Sequence, residues 1–270
     1  MDTANKLLII INAAMLFLTV VSVICAIIAY KHQKKRARKE SACKLAQYYA
    51  ENVIKKYSYV SSVFKICKTL EYINKTVELD QIRNFDNEEF EMILKDKEIN
   101  PKEFMKKANE FDPFVILNCR IAQIDLISDR SKIYSEFIEK DEKDDTLILK
   151  NASFLINDFA QDITNLLNSL EWFSMNCNYR IADEELLYQS LHQTFLSTVW
   201  MLYAFIASNN TSNENKMYTN IIELFNLWRD RLNGIVAHAN KKKAKVEKKE
   251  VKIQQEKKES KAKVFHGKKL

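Results

Sequence analysis

Leu7 to Tyr30 reads LLIIINAAMLFLTVVSVICAIIAY, a stretch without a single charge, and the next ten residues, KHQKKRARKE, hold six Lys or Arg against Glu40. A helix as long as the apolar stretch reaches about 36 Å, enough for a hydrocarbon core of about 30 Å. Only Lys6 stands at its other end, so the positive-inside rule puts the N-terminus outside and everything after Tyr30 in the cytoplasm. A cleavable signal peptide would need a basic n-region, a shorter apolar core and a small-residue cleavage site, and none is evident here. A buried core helix would have to release six cations from the same core. The stretch therefore predicts an uncleaved, single-pass anchor.

Within the span, Ser22, Ala26 and Ala29 share nearly one face and would let a second helix approach closely, which admits a homo-oligomer; Asn12 could hydrogen-bond across such a pair. Lipid-facing small residues are the simpler alternative. The cations Lys31, Lys34, Lys35, Arg36, Arg38 and Lys39 should attract the anionic lipids of the inner leaflet, at about 1 kcal/mol per charge near the surface.

Two glycines and two prolines in 270 residues stand against roughly 19 and 14 in an average chain. Phosphate-cradling loops, Rossmann fingerprints, β-barrels and nucleophile elbows all depend on Gly, so these classes are nearly excluded and the expected fold class is all-α. Four segments are expected: the anchor (1–30), a basic juxtamembrane segment (31–40), a cytoplasmic helical bundle (41–240) and a Lys/Glu-rich tail (241–270). The net charge of +6 hides their asymmetry: 31–40 carries +5, the tail +9, and 41–240 carries −8. The basic balance is a property of the flanks and does not describe a nucleic-acid-binding domain.

In the body, Cys43, Ala46, Ala50, Val53, Tyr57, Val60, Phe64 and Cys67 alternate steps of three and four, a helical seam expected to pack on its own bundle rather than on a twin. Asn100–Pro101–Glu103 and Asp112–Pro113 are helix-start signals. The second should open a helix from Pro113 to about Ile138, with Val115, Ile116, Cys119, Ala122, Leu126 and Ile133 buried. EKDEKDD (139–145) would be a solvated connection between antiparallel helices. A helix from about Thr146 to Phe173 follows, burying Phe154, Leu155, Phe159, Ile163, Leu166, Leu167 and Leu170. Asp183 should cap another running through Phe205, with polar Ser208–Asn215 closing it. The last, roughly Lys216 to Leu232, turns Ile221, Leu224, Phe225 and Trp228 inward.

Chemistry-bearing patterns are sparse. Cys25, Cys43, Cys67, Cys119 and Cys177 are widely spaced and form no C-x-x-C pair, so reduced thiols and no metal site are expected. His192 reads as a core or boundary imidazole; Glu171, Asp183 and Glu184 read as capping or ion-pairing groups. No catalytic constellation, cofactor or metal site is assigned. One alternative is Arg231 and His238, seven apart in RLNGIVAH and so almost in register two helical turns from each other. That spacing resembles the Arg-x4-6-His motif of HEPN ribonucleases. The resemblance implies a metal-independent RNase in which Arg stabilises phosphoryl charge and His moves the 2′-hydroxyl proton. Gly234 between them weakens the helix, and Leu232 stands where a polar residue often follows the motif's Arg. The tail is expected to be disordered or a solvated helix, able to touch anionic lipid or RNA in a salt-sensitive way.

From about Ile163 to Arg231, LLNSLEWFSM (166–175), IADEELLYQS (181–190), TFLSTVWMLY (194–203) and YTNIIELFNLWRDR (218–231) follow one another in an order that resembles the bacterial family catalogued as domain of unknown function 4760. That resemblance implies a bacterial inner-membrane protein with an N-terminal span and a helical cytoplasmic domain, and no established activity. The family often has a Gly-containing turn where this chain has Asn178–Arg180. Other single-span helical bacterial proteins suggest phage defence or stress as a setting. The leading expectation is a non-enzymatic protein whose cytoplasmic bundle binds or senses an unidentified protein partner. A membrane-tethered HEPN-like ribonuclease, with RNA as partner, and a membrane scaffold stay open.

Overall fold

In the computed structural model, residues 3–124, 127–140, 147–211 and 215–237 are described, and they divide into two compact units, Met1–Leu224 and Phe225–Leu270. The chain is mostly helical. Helix α1 (Thr3–Tyr48) continues through a π-helical segment (Tyr49–Ile54) into α2 (Lys55–Ile66). Then come α3 (Thr69–Thr76), α4 (Asn87–Asp96), α5 (Pro101–Ala108), α6 (Pro113–Ala122) and α7 (Ile127–Phe137). A β-hairpin pairs β1 (Ile138–Lys140) with β2 (Leu147–Leu149), Ile138 opposite Leu149, and α8 (Ala152–Asn178), α9 (Glu184–Met201) and α10 (Tyr203–Asn209) complete the series. A last helix, α11, covers 219–237.

Helix α1 is long and apolar enough at its N-terminal end to span a membrane. From Met15 to Ile28 its large apolar side chains are between 39% and 69% exposed, so the protein itself supplies no core for them. Beyond Tyr30 the same helix, unbroken, reaches the body, where Ala42 and Leu45 are buried and α1 packs on α9. The end of α1, the π segment and α2 lie against α8: Tyr48 meets Trp172 at 4.2 Å between ring centroids and Tyr49 meets Phe173 at 4.7 Å. The seam does pack on its own bundle, but its first half is displaced. Ala42, Leu45 and Tyr49 are buried while Cys43 and Ala50 are exposed; Val53, Val60 and Phe64 then face inward as expected. The π segment closes its hydrogen bonds over one residue more than an α-helix does.

The core is aromatic. Phe159 touches Tyr59, Phe64 and Phe111 at 5.6, 6.2 and 4.9 Å, and Phe64 also meets Phe205 at 5.7 Å. Such pairs add about 0.5–1.5 kcal/mol each beyond the area they bury. Above it, Arg120 of α6 binds Asp158 and Asp162 of α8 and lies over the Tyr59 ring. Burial raises the Asp162 carboxyl despite that guanidinium.

The local start signals hold where their chemistry is local. Asn100 accepts from the Lys102 N–H at 2.9 Å, Asp112 from the Phe114 N–H at 2.8 Å and Asp183 from the Leu186 N–H at 3.4 Å. Helix lengths need correction. The helix opened by Pro113 stops at Ala122, leaving Val115 half-buried and Ala122 exposed; α7 and β1 occupy the rest, and the Leu126 and Ile133 side chains lie outside the described residues. Residues 147–149 are a strand, so α8 begins only at Ala152 and runs on to Asn178, and Phe154 is 55% exposed; the other six predicted positions are buried. Glu139 and Lys140 are strand, and 141–146 lie outside the described residues. The helix capped by Asp183 breaks at Leu202 before α10. In the polar stretch after it, Asn210 is fully buried, and 212–214 lie outside the described residues.

Turns here do not use glycine. Lys68, Phe85, Glu98, Asn151, Arg180 and Tyr218 take positive φ, and no Gly does among the described residues. At the end of α8 the Arg180 N–H donates to the Cys177 carbonyl and the Ile181 N–H to the Asn176 carbonyl, the paired bonds of a Schellman stop with Arg180 (φ 54°) in the left-handed position. Glycine has no Cβ to strain there, so Arg180→Gly raises stability by about 1 kcal/mol, a melting-temperature gain of roughly 2–4 °C by circular dichroism.

In the second unit the chain is helical over 225–237, with Phe225, Trp228 and Arg229 fully buried. The Arg229 guanidinium lies 5.6 Å over the Phe225 ring and binds Asp230 at 2.9 Å. Ile221 and Leu224 of the first unit are likewise buried, as expected for α11.

Candidate functional site

A cleft of about 530 Å3 lies between the basic end of α1 and the turn joining α8 to α9. Its first wall follows from helical spacing: Lys31, Lys34, Lys35 and Arg38 stand at i, i+3, i+4 and i+7, hence on one face. Arg36 and Lys39, from the same basic run, fall outside the lining. The cleft selects four of the six expected lipid-contacting cations and adds a fifth from far along the chain, Arg180.

The second wall is held in place by backbone. The Asp183 N–H donates to the Arg38 carbonyl at 3.1 Å, while the Asp183 side chain caps α9. Ala182, 2% exposed, seats the turn, whereas Tyr179 and Ile181 on either side of Arg180 are 71% and 51% exposed. Glu184 and Glu185 complete the lining, so the cleft counts five cations and three carboxylates. Among the described residues, the side chains of Lys31, Lys34, Lys35 and Arg180 form no ion pair or hydrogen bond. Five cations against three carboxylates give the cleft a net positive lining, suited to a phosphate or carboxylate.

The remaining expected residues fall in structural roles. Glu171 accepts from the Asn220 N–H and Nδ2 at 3.1 and 2.8 Å and from the Ile221 N–H at 3.0 Å, capping the start of α11 as its reading as a capping group required. His192 is half-buried, its Nδ1 2.7 Å from the Tyr188 carbonyl and its ring stacked on Tyr188, a boundary imidazole. The cysteines are all free. Among the described residues no three His, Cys, Asp or Glu side chains converge as a metal cage. Arg231 is half-buried on α11, which runs through Gly234 to residue 237; His238 and the tail 241–270 lie outside the described residues.

Sequence reasoning missed Glu89, a buried carboxylate with four donors around it. It accepts from the backbone N–H groups of Arg83, Asn84 and Phe85 at 2.7, 2.6 and 3.0 Å and from the Tyr203 hydroxyl at 3.0 Å. Burial, then Glu89, raises the Tyr203 hydroxyl and keeps it a donor. The D-x-x-E pattern of Asp86 and Glu89 was the available signal.

Comparisons with family models, with characterised proteins and with solved structures find no match to this chain.

Proposed function

We propose that this chain is a single-span protein of the bacterial inner membrane whose helical body works on the cytoplasmic side as an interaction or sensing domain. Phage defence or stress, the setting suggested by other single-span helical bacterial proteins, belongs to the proposal. The observation that carries it is the continuity of α1. One helix joins an apolar stretch with no protein around it to residues buried in the body core, so the body is held at a fixed distance from the bilayer and tilts with the span. The anchor and the basic face set its orientation.

The native cysteines test this directly. Maleimides label thiols that water reaches, and an impermeant reagent does not enter hydrocarbon. In sealed cells an impermeant maleimide leaves Cys43, exposed just past the basic run, unlabelled; after permeabilisation it labels within minutes. Cys25, exposed on α1, stays unlabelled in both cases and reacts only when detergent replaces the lipid. Cys177, whose thiol burial pushes up to about 12, labels only on unfolding. Labelling of Cys43 in sealed cells would reverse the orientation, and labelling of Cys25 in intact membranes would remove the anchor.

A further inference from the structure

Lys31, Lys34, Lys35 and Arg180 of the cleft are exposed cations, and their depth says which ligand can reach them. Lys31 follows the last residue of the uncharged span, and Arg38 lies two helical turns farther along the same helix. Those two turns rise about 10 Å, so they take in one leaflet's headgroup layer, about 5–8 Å deep, and end just beyond it. The cleft therefore opens at the hydrocarbon edge and closes near the outer limit of the headgroups, a placement that rests on the membrane reading above. We propose that it holds the headgroup of one anionic glycerophospholipid, its phosphate on Lys34, Lys35 and Arg180 and its free hydroxyls on the carboxylate of Glu185.

Three features specify that headgroup. Five cations against three carboxylates leave the cleft positive, which selects a net negative lipid. The carboxylates share the α9 wall, so a second negative charge would be repelled there, whereas a hydroxyl can donate to them. Choline has no donor to offer. A singly charged phosphodiester bearing hydroxyls meets both walls, and phosphatidylglycerol is the simplest. The third feature is apolar. Tyr179 and Ile181 flank Arg180, and Leu186, 42% exposed, stands in the first turn of α9, giving an aromatic and two aliphatic groups beside the cations. Amphipathic rings and aliphatic groups at this level suit the glycerol and upper acyl region.

The off-cleft cations provide the control. Lys34→Ala/Lys35→Ala and Arg36→Ala/Lys39→Ala each remove two charges from the same basic run, but only the first pair lines the cleft. The full chain is reconstituted into vesicles of phosphatidylcholine with a minor fraction of phosphatidylglycerol, extracted in mild detergent, and its retained lipids are counted by native mass spectrometry. The wild type should keep one phosphatidylglycerol in preference to phosphatidylcholine. The cleft pair should lower that retention about tenfold, as should Arg180→Gly, a variant that keeps or gains thermal stability, while the off-cleft pair leaves it unchanged. Excess glycerol phosphate in solution should not displace the lipid. Equal losses from both pairs would reduce the site to diffuse surface attraction and overturn the proposal; so would retention of phosphatidylcholine, or displacement by the soluble phosphate. Flotation with the vesicles separates the two levels. A wild type that does not float removes the anchor itself, whereas one that floats without selecting phosphatidylglycerol removes only the headgroup site.

Discussion

Replacing Glu89 by Ala lowers the stability of the helical body by roughly 3–5 kcal/mol, because one carboxylate is the shared acceptor for three backbone N–H groups and a buried hydroxyl. Each donor left without a partner costs about 1–3 kcal/mol, and water can reach only the exposed residues Arg83 and Asn84. The loss also frees the turn before α4. Phe85 sits there at φ 55°, a conformation costly for a bulky residue, and its carbonyl accepts from Asn210 Nδ2 at 2.8 Å. Lys216 bridges the Asn84 carbonyl at 2.9 Å and Asp86 at 3.1 Å, so the same turn holds the distant 210–217 segment. Glu89→Gln keeps the shape but turns an NH2 toward N–H donors, and should fall within about 1 kcal/mol of Ala. Tyr203→Phe removes a single bond and costs about 1 kcal/mol. Guanidinium titration in micelles, followed by tryptophan fluorescence, measures all three. A Gln variant as stable as the wild type would show that charge and acceptor count are not what hold this turn.

The elements legible in the sequence are those whose causes are short-range. Asn100, Asp112 and Asp183 accept from N–H groups two or three residues on, and the α8 stripe from Leu155 to Leu170 has one uninterrupted period. Interruptions were not legible, because this chain makes them without its usual punctuation. The breaks after Ala122 and at Leu202 contain no Gly or Pro, and the left-handed turns use residues from Lys to Phe. Asn210 reads as a polar loop residue, yet its side chain bonds the Phe85 and Met217 carbonyls and the Met217 N–H, partners that only the tertiary fold brings near. The cleft divides the same way. Its cations were visible as a run, and helical spacing alone separates Lys31, Lys34, Lys35 and Arg38 from Arg36 and Lys39. Arg180 was invisible as a member, since it arrives through the Asp183–Arg38 backbone bond, which joins segments far apart in the sequence.

The displaced seam of α1 carries the second large prediction. Ala42, Leu45 and Tyr49 lie on the buried face before the π turn and Val53, Val60 and Phe64 on the buried face after it, and the π turn at Tyr49–Ile54 carries one residue more than α-helical hydrogen bonding needs. Deleting exposed Ala50 from that turn should therefore leave a regular α-helix in which both faces still point at α8 and α9. The cost is within about 1 kcal/mol, since only an extra residue is lost and the regular i→i−4 bonds are regained. Deleting exposed Asn168 from the middle of α8 has no such reserve. It turns residues 169–178 by about 100° relative to the Leu155–Leu167 stripe, takes Leu170 and Phe173 out of the core at about 1.5–3 kcal/mol each, and should leave no cooperative melting transition. Circular dichroism and thermal denaturation of the two deletions, each one exposed residue shorter than the parent, give the comparison. If both unfold the body, or both are tolerated, the π turn is not a phase adjuster and the rigid link from span to core through α1 loses its structural basis.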